Sequence, residues 1–305
     1  MYLDHFGLRD LPFRLTPDTS YFFNAGGHQE ALNVLLLALR SGEGFIKVTG
    51  EVGTGKTLLC RMLLNSLGED QFCTAYVPNP LLTPAALVTA LADELGLKVA
   101  RNQGWYRLLK LINERLIEIV SESRRVVLIL DEAQAMPRDT MEALRLLSNL
   151  ETEKNKLLQV VMFGQPELDE ALNKKSLRQL RQRIAFSYRL PEMDRQAMEA
   201  YVAHRFYVAG HRGPLPYTHG ALGALFKASR GVPRLINILC HKCLMAAYGV
   251  GAKEVTRSHI IAAVKDTEDT AAAIRDGWFR KPWAWLGLAS MATMGMGAAI
   301  WSGAL

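Results

Sequence analysis

The chain has 305 residues, of which 49% are hydrophobic and 22% charged, with a formal net charge of +6 and a pI near 9.1. Such a composition excludes a disordered chain and can bury one large or two modest cores, while its small positive surplus leaves nucleotide, acidic lipid and nucleic acid open as anionic partners. Four cysteines (Cys60, Cys73, Cys240 and Cys243) exclude a disulfide framework, and the polar, mixed start Met1-Tyr2-Leu3-Asp4-His5 lacks a cleavable signal pattern, so the bulk of the protein is expected in a reducing compartment.

From Tyr2 to Phe23 aromatics mix with Pro12 and Pro17 without a sustained period, which predicts an irregular segment laid against a core. A helix is expected from His28 to Ser41, with Ala31, Leu32, Leu35, Leu36 and Leu39 at helical spacing. Phe45 to Thr49 has strand composition, and Leu58 to Leu64 reads as helix. Between them Gly50-Glu51-Val52-Gly53-Thr54-Gly55-Lys56-Thr57 fits the phosphate-binding pattern G-x-x-x-x-G-K-[ST]. The glycines let backbone N–H groups wrap phosphates at a helix N-terminus, where the dipole favours anions. Lys56 would reach the β- and γ-phosphates, Thr57 would ligate Mg²⁺, and Leu58 continues the loop into the helix. A strand–loop–helix context of this kind predicts a nucleoside triphosphate site with Mg²⁺.

Further on, Phe72 to Val77 is a second strand, ended by Pro78 and Pro80; Thr83 and Pro84 form an N-cap and first turn for a helix to about Leu95. Trp105 to Ser121 is another helix, and Val126 to Leu130 is apolar throughout, as in a strand buried on both faces of a parallel sheet. Asp131 directly follows that strand, 75 positions after Lys56, where a carboxylate can hold the Mg²⁺ shell; Glu132 beside it could polarise a water for attack on the γ-phosphate. A helix from about Arg138 to Leu150 and a buried strand, Leu158 to Phe163, precede Gly164-Gln165-Pro166. Alternating strands and helices predict a three-layer α/β core with a parallel sheet over residues 1–190, residues 1–27 being its irregular opening.

After Pro191 the strand pattern stops. Arg195 to Ala209, Gly220 to Ser229, Pro233 to Tyr248 and Ser258 to Asp266 predict a four-helix lid domain over 191–268. Within it, Cys240-His241-Lys242-Cys243 has too few clustered ligands for zinc and reads as part of a helix. Residues 269–281 form a linker, and residues 282–305 carry no charge over 24 positions. As a helix they would extend about 36 Å against a hydrocarbon core of about 30 Å, which predicts a single transmembrane helix. Trp283, Trp285 and Trp301 stand at interfacial positions, and Arg275, Arg280 and Lys281 precede the run as cytoplasmic-side charges. A buried core helix is the competing reading of this run. Ala289, Thr293 and Gly297 recur every fourth position, a spacing that lets two such helices approach closely.

Gly50 to Thr57, Asp131-Glu132-Ala133-Gln134, Gly164-Gln165-Pro166-Glu167-Leu168, Leu180-Arg181-Gln182-Arg183-Ile184 and Gly231-Val232-Pro233-Arg234 stand in an order that resembles AAA+ ATPases of the ExeA/GspA type. The opening Tyr2 to Leu8 with Pro12-Phe13 is also similar to that family, and within it the resemblance is strongest to the MshM group, which serves biogenesis of the mannose-sensitive haemagglutinin (MSHA) type IV pilus. It covers about residues 1–268. The resemblance implies a P-loop NTPase core and lid, ATP hydrolysis with Mg²⁺, Gln165 as the sensor-1 group and Arg234 as the sensor-2 arginine. AAA+ proteins at large usually carry Asn at the first of these. It further implies an arginine finger for a neighbouring subunit, supplied by Arg183 or Arg181, and hence a homo-oligomer. Its partners would be pilus or secretion assembly proteins at the bacterial inner membrane, with the ATPase domain in the cytoplasm. A DNA-associated AAA+ ATPase of the transposition-helper kind is the alternative, using Lys174, Lys175, Arg178, Arg181 and Arg183 on phosphates; the apolar tail and the lack of an obvious helix-turn-helix argue against nucleic acid. A nucleotide switch that barely hydrolyses is disfavoured by Glu132.

Overall fold

The computed structural model describes residues 2–16, 18–23, 27–98, 104–151 and 156–268. Five strands form one parallel sheet: β1 (Phe45–Thr49), β2 (Phe72–Val77), β3 (Arg125–Leu130), β4 (Leu158–Gly164) and β5 (Ile184–Arg189), in the spatial order β2-β3-β4-β1-β5. The period of two explains how the sheet is buried on both faces. Val126, Leu128 and Leu130 point into one apolar cluster with the helices α3 (Pro84–Glu94), α4 (Trp105–Ser121) and α5 (Arg138–Leu147), whereas Val127 and Ile129 point into the opposite one with α1 (Gly27–Arg40) and α2 (Lys56–Ser66). Each fully buried Leu, Ile or Val here contributes about 1.5–3 kcal/mol relative to exposure. The Thr83 hydroxyl accepts from Ala86 N–H at 3.3 Å and starts α3.

Two short helices, α6 (Glu167–Leu172) and α7 (Arg178–Gln182), and the strand β5 were not legible in the sequence. β5 lies at the sheet edge, where its residues alternate half-buried and exposed, and its neighbour register with β1 shifts between Phe45 and Ile46. The second unit comprises α8 (Arg195–Val208), α9 (His219–Ser229), α10 (Pro233–Gly249) and α11 (Arg257–Lys265). Asp194 caps α8 through Ala197 N–H at 2.7 Å, Thr218 caps α9 through Ala221 N–H at 3.2 Å, and Thr256 with His259 forms a capping box on α11. Cys240 and Cys243 are both fully buried in this helical core, which raises the Cys240 thiol to about 12 and pushes Cys243 up as well. Among the described residues no cluster of three or more His, Cys, Asp or Glu could hold a metal ion.

The opening segment packs differently from its expected place with the α/β core. Tyr2, Phe6, Leu8, Phe13 and Tyr21 belong to the apolar cluster of the helical unit. The physical reason is that a segment without a strand period leaves its backbone donors to be satisfied elsewhere, and the C-terminal end of α8 offers acceptors. Arg9 N–H and Asp10 N–H both donate to Ala209 C=O, at 2.8 and 3.3 Å. His211 Nδ1 pairs with Phe6 C=O at 2.8 Å, and Tyr2 Oη with His241 Nδ1 at 2.9 Å. The expected linker and transmembrane helix at 269–305 lie outside the described residues. Among those that are described, no helix is long and apolar enough to cross a membrane.

Candidate nucleotide-binding and catalytic site

β1 ends where the loop Gly50 to Gly55 turns the chain into α2, and β3, separated from β1 only by β4, ends just before Asp131, because the parallel strands of a doubly wound sheet deliver their C-terminal ends to one side. A cavity of about 360 Å³ opens there. Its floor is Val52, Gly53, Gly55, Lys56, Thr57 and Leu58, with Glu132 and Gln165 at one side. Lys56 is 5% exposed and its Nζ donates to the carbonyls of Gly50 and Glu51 at 2.8 and 2.9 Å. Burial lowers its pKa, against the opposing pull of Glu132, Asp131 and Glu51.

Thr54 turns away from the cavity. Its hydroxyl donates to Glu51 C=O at 2.9 Å and its own carbonyl pairs with His28 Nε2 at 2.8 Å, so it shapes the loop from behind. Two glycines show how tightly the loop is gripped. Gly55 has φ +99°, and a Cβ there would lie 2.8 Å from His28 Nε2 on α1. Gly53 has φ +82°, and a Cβ there would lie 2.6 Å from Arg234 Cβ on α10. Arg234 N–H, an orphan donor of the first turn of α10, donates to Gly53 C=O at 3.2 Å. The helical unit thus docks on the phosphate loop by main-chain contact.

Asp131 is 3% exposed, and burial raises its carboxyl above the ordinary 3.8, offset in part by hydrogen bonds from the Thr57 hydroxyl and the Glu132 N–H. A buried carboxylate joined to a threonine hydroxyl, with Lys56 nearby, is an all-oxygen donor pair that fits Mg²⁺ with its remaining positions filled by water and phosphate oxygens. Glu132 follows in the left-handed region at φ 54°, a conformation that costs of order 1–3 kcal/mol for a residue with a side chain. A single turn from Ala133 to Ala135 holds it, with Ala135 N–H donating to Glu132 C=O at 2.9 Å. Gln165, at the end of β4, donates from Nε2 to Glu132 Oε2 at 3.2 Å. The group expected as sensor 1 therefore sits against the carboxylate.

The roof was not anticipated. Arg14, Leu15, Thr16 and Asp18 of the opening segment line the cavity, together with Tyr201 and Arg205 of α8 and Pro233, Arg234 and Asn237 of α10. Arg205, 7% exposed, donates to the carbonyls of Pro12 and Arg14, and its guanidinium lies 4.5 Å above the ring of Tyr21 and 5.7 Å from that of Tyr201. Of the residues expected in the site, Arg234 reaches the cavity, whereas Arg183 does not. Arg183 donates to Ser148 Oγ and Asn149 Oδ1 beyond the end of α5, and Arg181 Nη1 donates to Asn173 Oδ1 at 2.8 Å. Sequence reading gave no site role to the opening segment's Arg14, Leu15, Thr16 and Asp18, to His28, or to Gln134.

Phosphate loop, strand-end carboxylates and the strand order together describe an α/β P-loop NTPase fold. Residues 39–172 match the AAA domain family. The AAA match covers the sheet from before β1 to beyond β4. Over 263 residues, or 86% of its length, this chain is 42% identical to general secretion pathway protein A of Aeromonas hydrophila. The chain spans 48% of that relative's length. Among solved structures, CDC6P of Pyrobaculum aerophilum is similar in fold with a TM-score of 0.61 at 18% identity, over 82% of this chain and 71% of that one. The ORC2 protein of Aeropyrum pernix follows with 0.58 at 16%, over 83% and 72%. At such identity the likeness concerns the fold.

Proposed function

We propose that this chain is a Mg²⁺-dependent AAA+ ATPase that works as a homo-oligomer on assembly of an envelope secretion or pilus machine at the bacterial inner membrane. The observation that carries the ATPase reading is the meeting of Lys56, Thr57, Asp131 and Glu132 at one crevice. Lys56 would neutralise charge on the β- and γ-phosphates, Thr57 and Asp131 would hold the metal ion, which supplies Lewis-acid charge stabilisation, and Glu132 would accept the proton of the attacking water.

The machine is argued from kinship, since fold alone does not license a role. The likeness to general secretion pathway protein A and the order of motifs support secretion, and the narrower assignment to the MshM group and the MSHA pilus rests on the resemblance of the sequence alone. Arg183, held at a surface away from its own cavity, is the group we assign to a neighbouring subunit's site, and Arg234 is the one that couples α10 to the γ-phosphate. The uncharged run 282–305 would anchor the ATPase on the cytoplasmic side.

One preparation tests both halves. Wild-type protein should hydrolyse ATP only with Mg²⁺, and Glu132→Gln should bind it with turnover cut to a small residual rate; equal turnover in the two removes Glu132 from the chemistry. In fractionated cells the full chain should sediment with membranes and a chain ending at residue 281 should not. A full chain soluble without detergent overturns the anchor.

A further inference from the structure

Glu132 is held by more than its backbone. Gln134, two residues on, donates from Nε2 to Glu132 Oε2 at 2.5 Å, and its Oε1 accepts the Gln165 N–H at 3.0 Å. That second bond fixes the sense of the amide. A main-chain N–H can only be met by the carbonyl oxygen, so the NH₂ must face the carboxylate. Gln165 Nε2 converges on the same oxygen at 3.2 Å. Both donors saturate Oε2, and no hydrogen bond to Oε1 forms among the described residues. The backbone enforces the arrangement from the other side, because a Cβ at Gly164 would lie 3.3 Å from Gln134 Oε1 and 2.7 Å from Leu168 Cδ2.

We infer that Gln134 is a positioning residue for hydrolysis: it clamps Glu132 by Oε2, ties it to the end of β4 through Gln165, and leaves Oε1 as the oxygen that takes the proton of the attacking water. As the water oxygen bonds to the γ-phosphorus, the bond to the β–γ bridging oxygen breaks, the electron pair leaves with the diphosphate, and the proton passes to Oε1. The inference rests on the ATPase reading and adds to it a residue that neither touches phosphate nor lies in the cavity lining. Its physical content is orientation. A carboxylate on three side-chain torsions, the last of them broad, in a strained αL residue, needs an external clamp to keep one oxygen aimed within the narrow range that proton transfer requires.

The test is a double-mutant cycle on the full chain. Gln134→Leu keeps the volume and removes both bonds; Gln134→Glu keeps an acceptor for the Gln165 N–H but turns the donor into a repelling charge. Both should lower kcat roughly 10- to 100-fold, as expected for a misplaced reacting group, with KM, binding of a fluorescent ATP analogue and the melting midpoint near wild type. In a Glu132→Gln background Gln134→Leu should cause no further loss, since the clamp acts only through the carboxylate. A change carried by KM, an unchanged kcat, or multiplying losses in the double variant overturns the clamp. If Gln134→Leu fails to fold, Gln134→Glu against Glu132→Gln runs the same cycle. A wild-type chain that binds nucleotide without turnover sinks the ATPase reading and the clamp together, whereas an active wild type with equally active variants sinks the clamp alone.

Discussion

The floor and the roof of the nucleotide cavity are built by opposite logics. Each floor residue sits in the loop or first helical turn that follows the C-terminal end of a buried strand, so its place is dictated by local sequence and by the sheet that collects those ends. The roof comes from the first twenty residues and from α8 and α10, nearly two hundred positions apart, and is held together by one buried arginine. Floor variants should therefore change chemistry at nearly constant stability, and roof variants should change stability and affinity together.

The largest effect is expected on the floor. Lys56→Ala removes the buried cation of the phosphate loop, and turnover should drop by about 10²–10³-fold, the cost typical of a lost preorganised donor. The melting midpoint in nucleotide-free buffer should hardly move, because burial already disfavours the charged lysine. ATPase assay and calorimetry on the same sample check both halves. A variant that loses its fold instead would erase the contrast between floor and roof.

Arg205→Ala comes next and should behave in the opposite sense. It strands the carbonyls of Pro12 and Arg14 and unstacks Tyr21, costing about 1–3 kcal/mol for the lost buried partners. Urea denaturation should show the loss, Arg205→Lys should recover part of it, and nucleotide affinity should weaken because Arg14, Leu15, Thr16 and Asp18 are no longer held over the cavity. An Ala variant of full stability would mean that the apolar cluster around Tyr2, Phe6 and Phe13 alone fastens the segment. Gly53→Ala probes the junction: the φ of +82° and the approach of Arg234 predict a loss of order 1–3 kcal/mol, read as weaker binding and as faster amide exchange at the start of α10.

The same division decides what the sequence made legible. The phosphate loop, Asp131, Glu132 and four of the five strands follow from apolar runs and the punctuation after them. β5 escaped because an edge strand with alternating exposure lacks the continuous apolar signature of β3 and β4. The opening segment carried its aromatics in plain view, yet no period says which of two cores a loop will join; that was settled by free acceptors at the end of α8. Gln134 was visible as a letter in Asp131-Glu132-Ala133-Gln134, but its role depends on the end of β4, thirty-one positions away, swinging in to fix its amide.

The smallest effect runs against intuition. Burial holds the Asp131 carboxyl above its ordinary 3.8, with the Thr57 hydroxyl, the Glu132 N–H and Lys56 pulling it back only in part. A group whose pKa is higher folded than unfolded binds more protons in the folded state. Its contribution to stability is then complete below 3.8 and is lost as pH rises through the raised value. At neutral pH and without metal, ionised Asp131 works against the fold. Asp131→Asn keeps an acceptor for Thr57 and sheds the charge, so it should melt slightly higher than wild type at pH 7, with the difference closing as pH falls towards 4. Adding Mg²⁺ and nucleotide should reverse the order, because only the wild type gains the linkage stabilisation of a tightly held ligand. An Asn variant that melts lower than wild type at neutral pH without metal would mean that the carboxylate stabilises the floor through Lys56 and Thr57, and the floor would then share the roof's dependence on charge for its own stability.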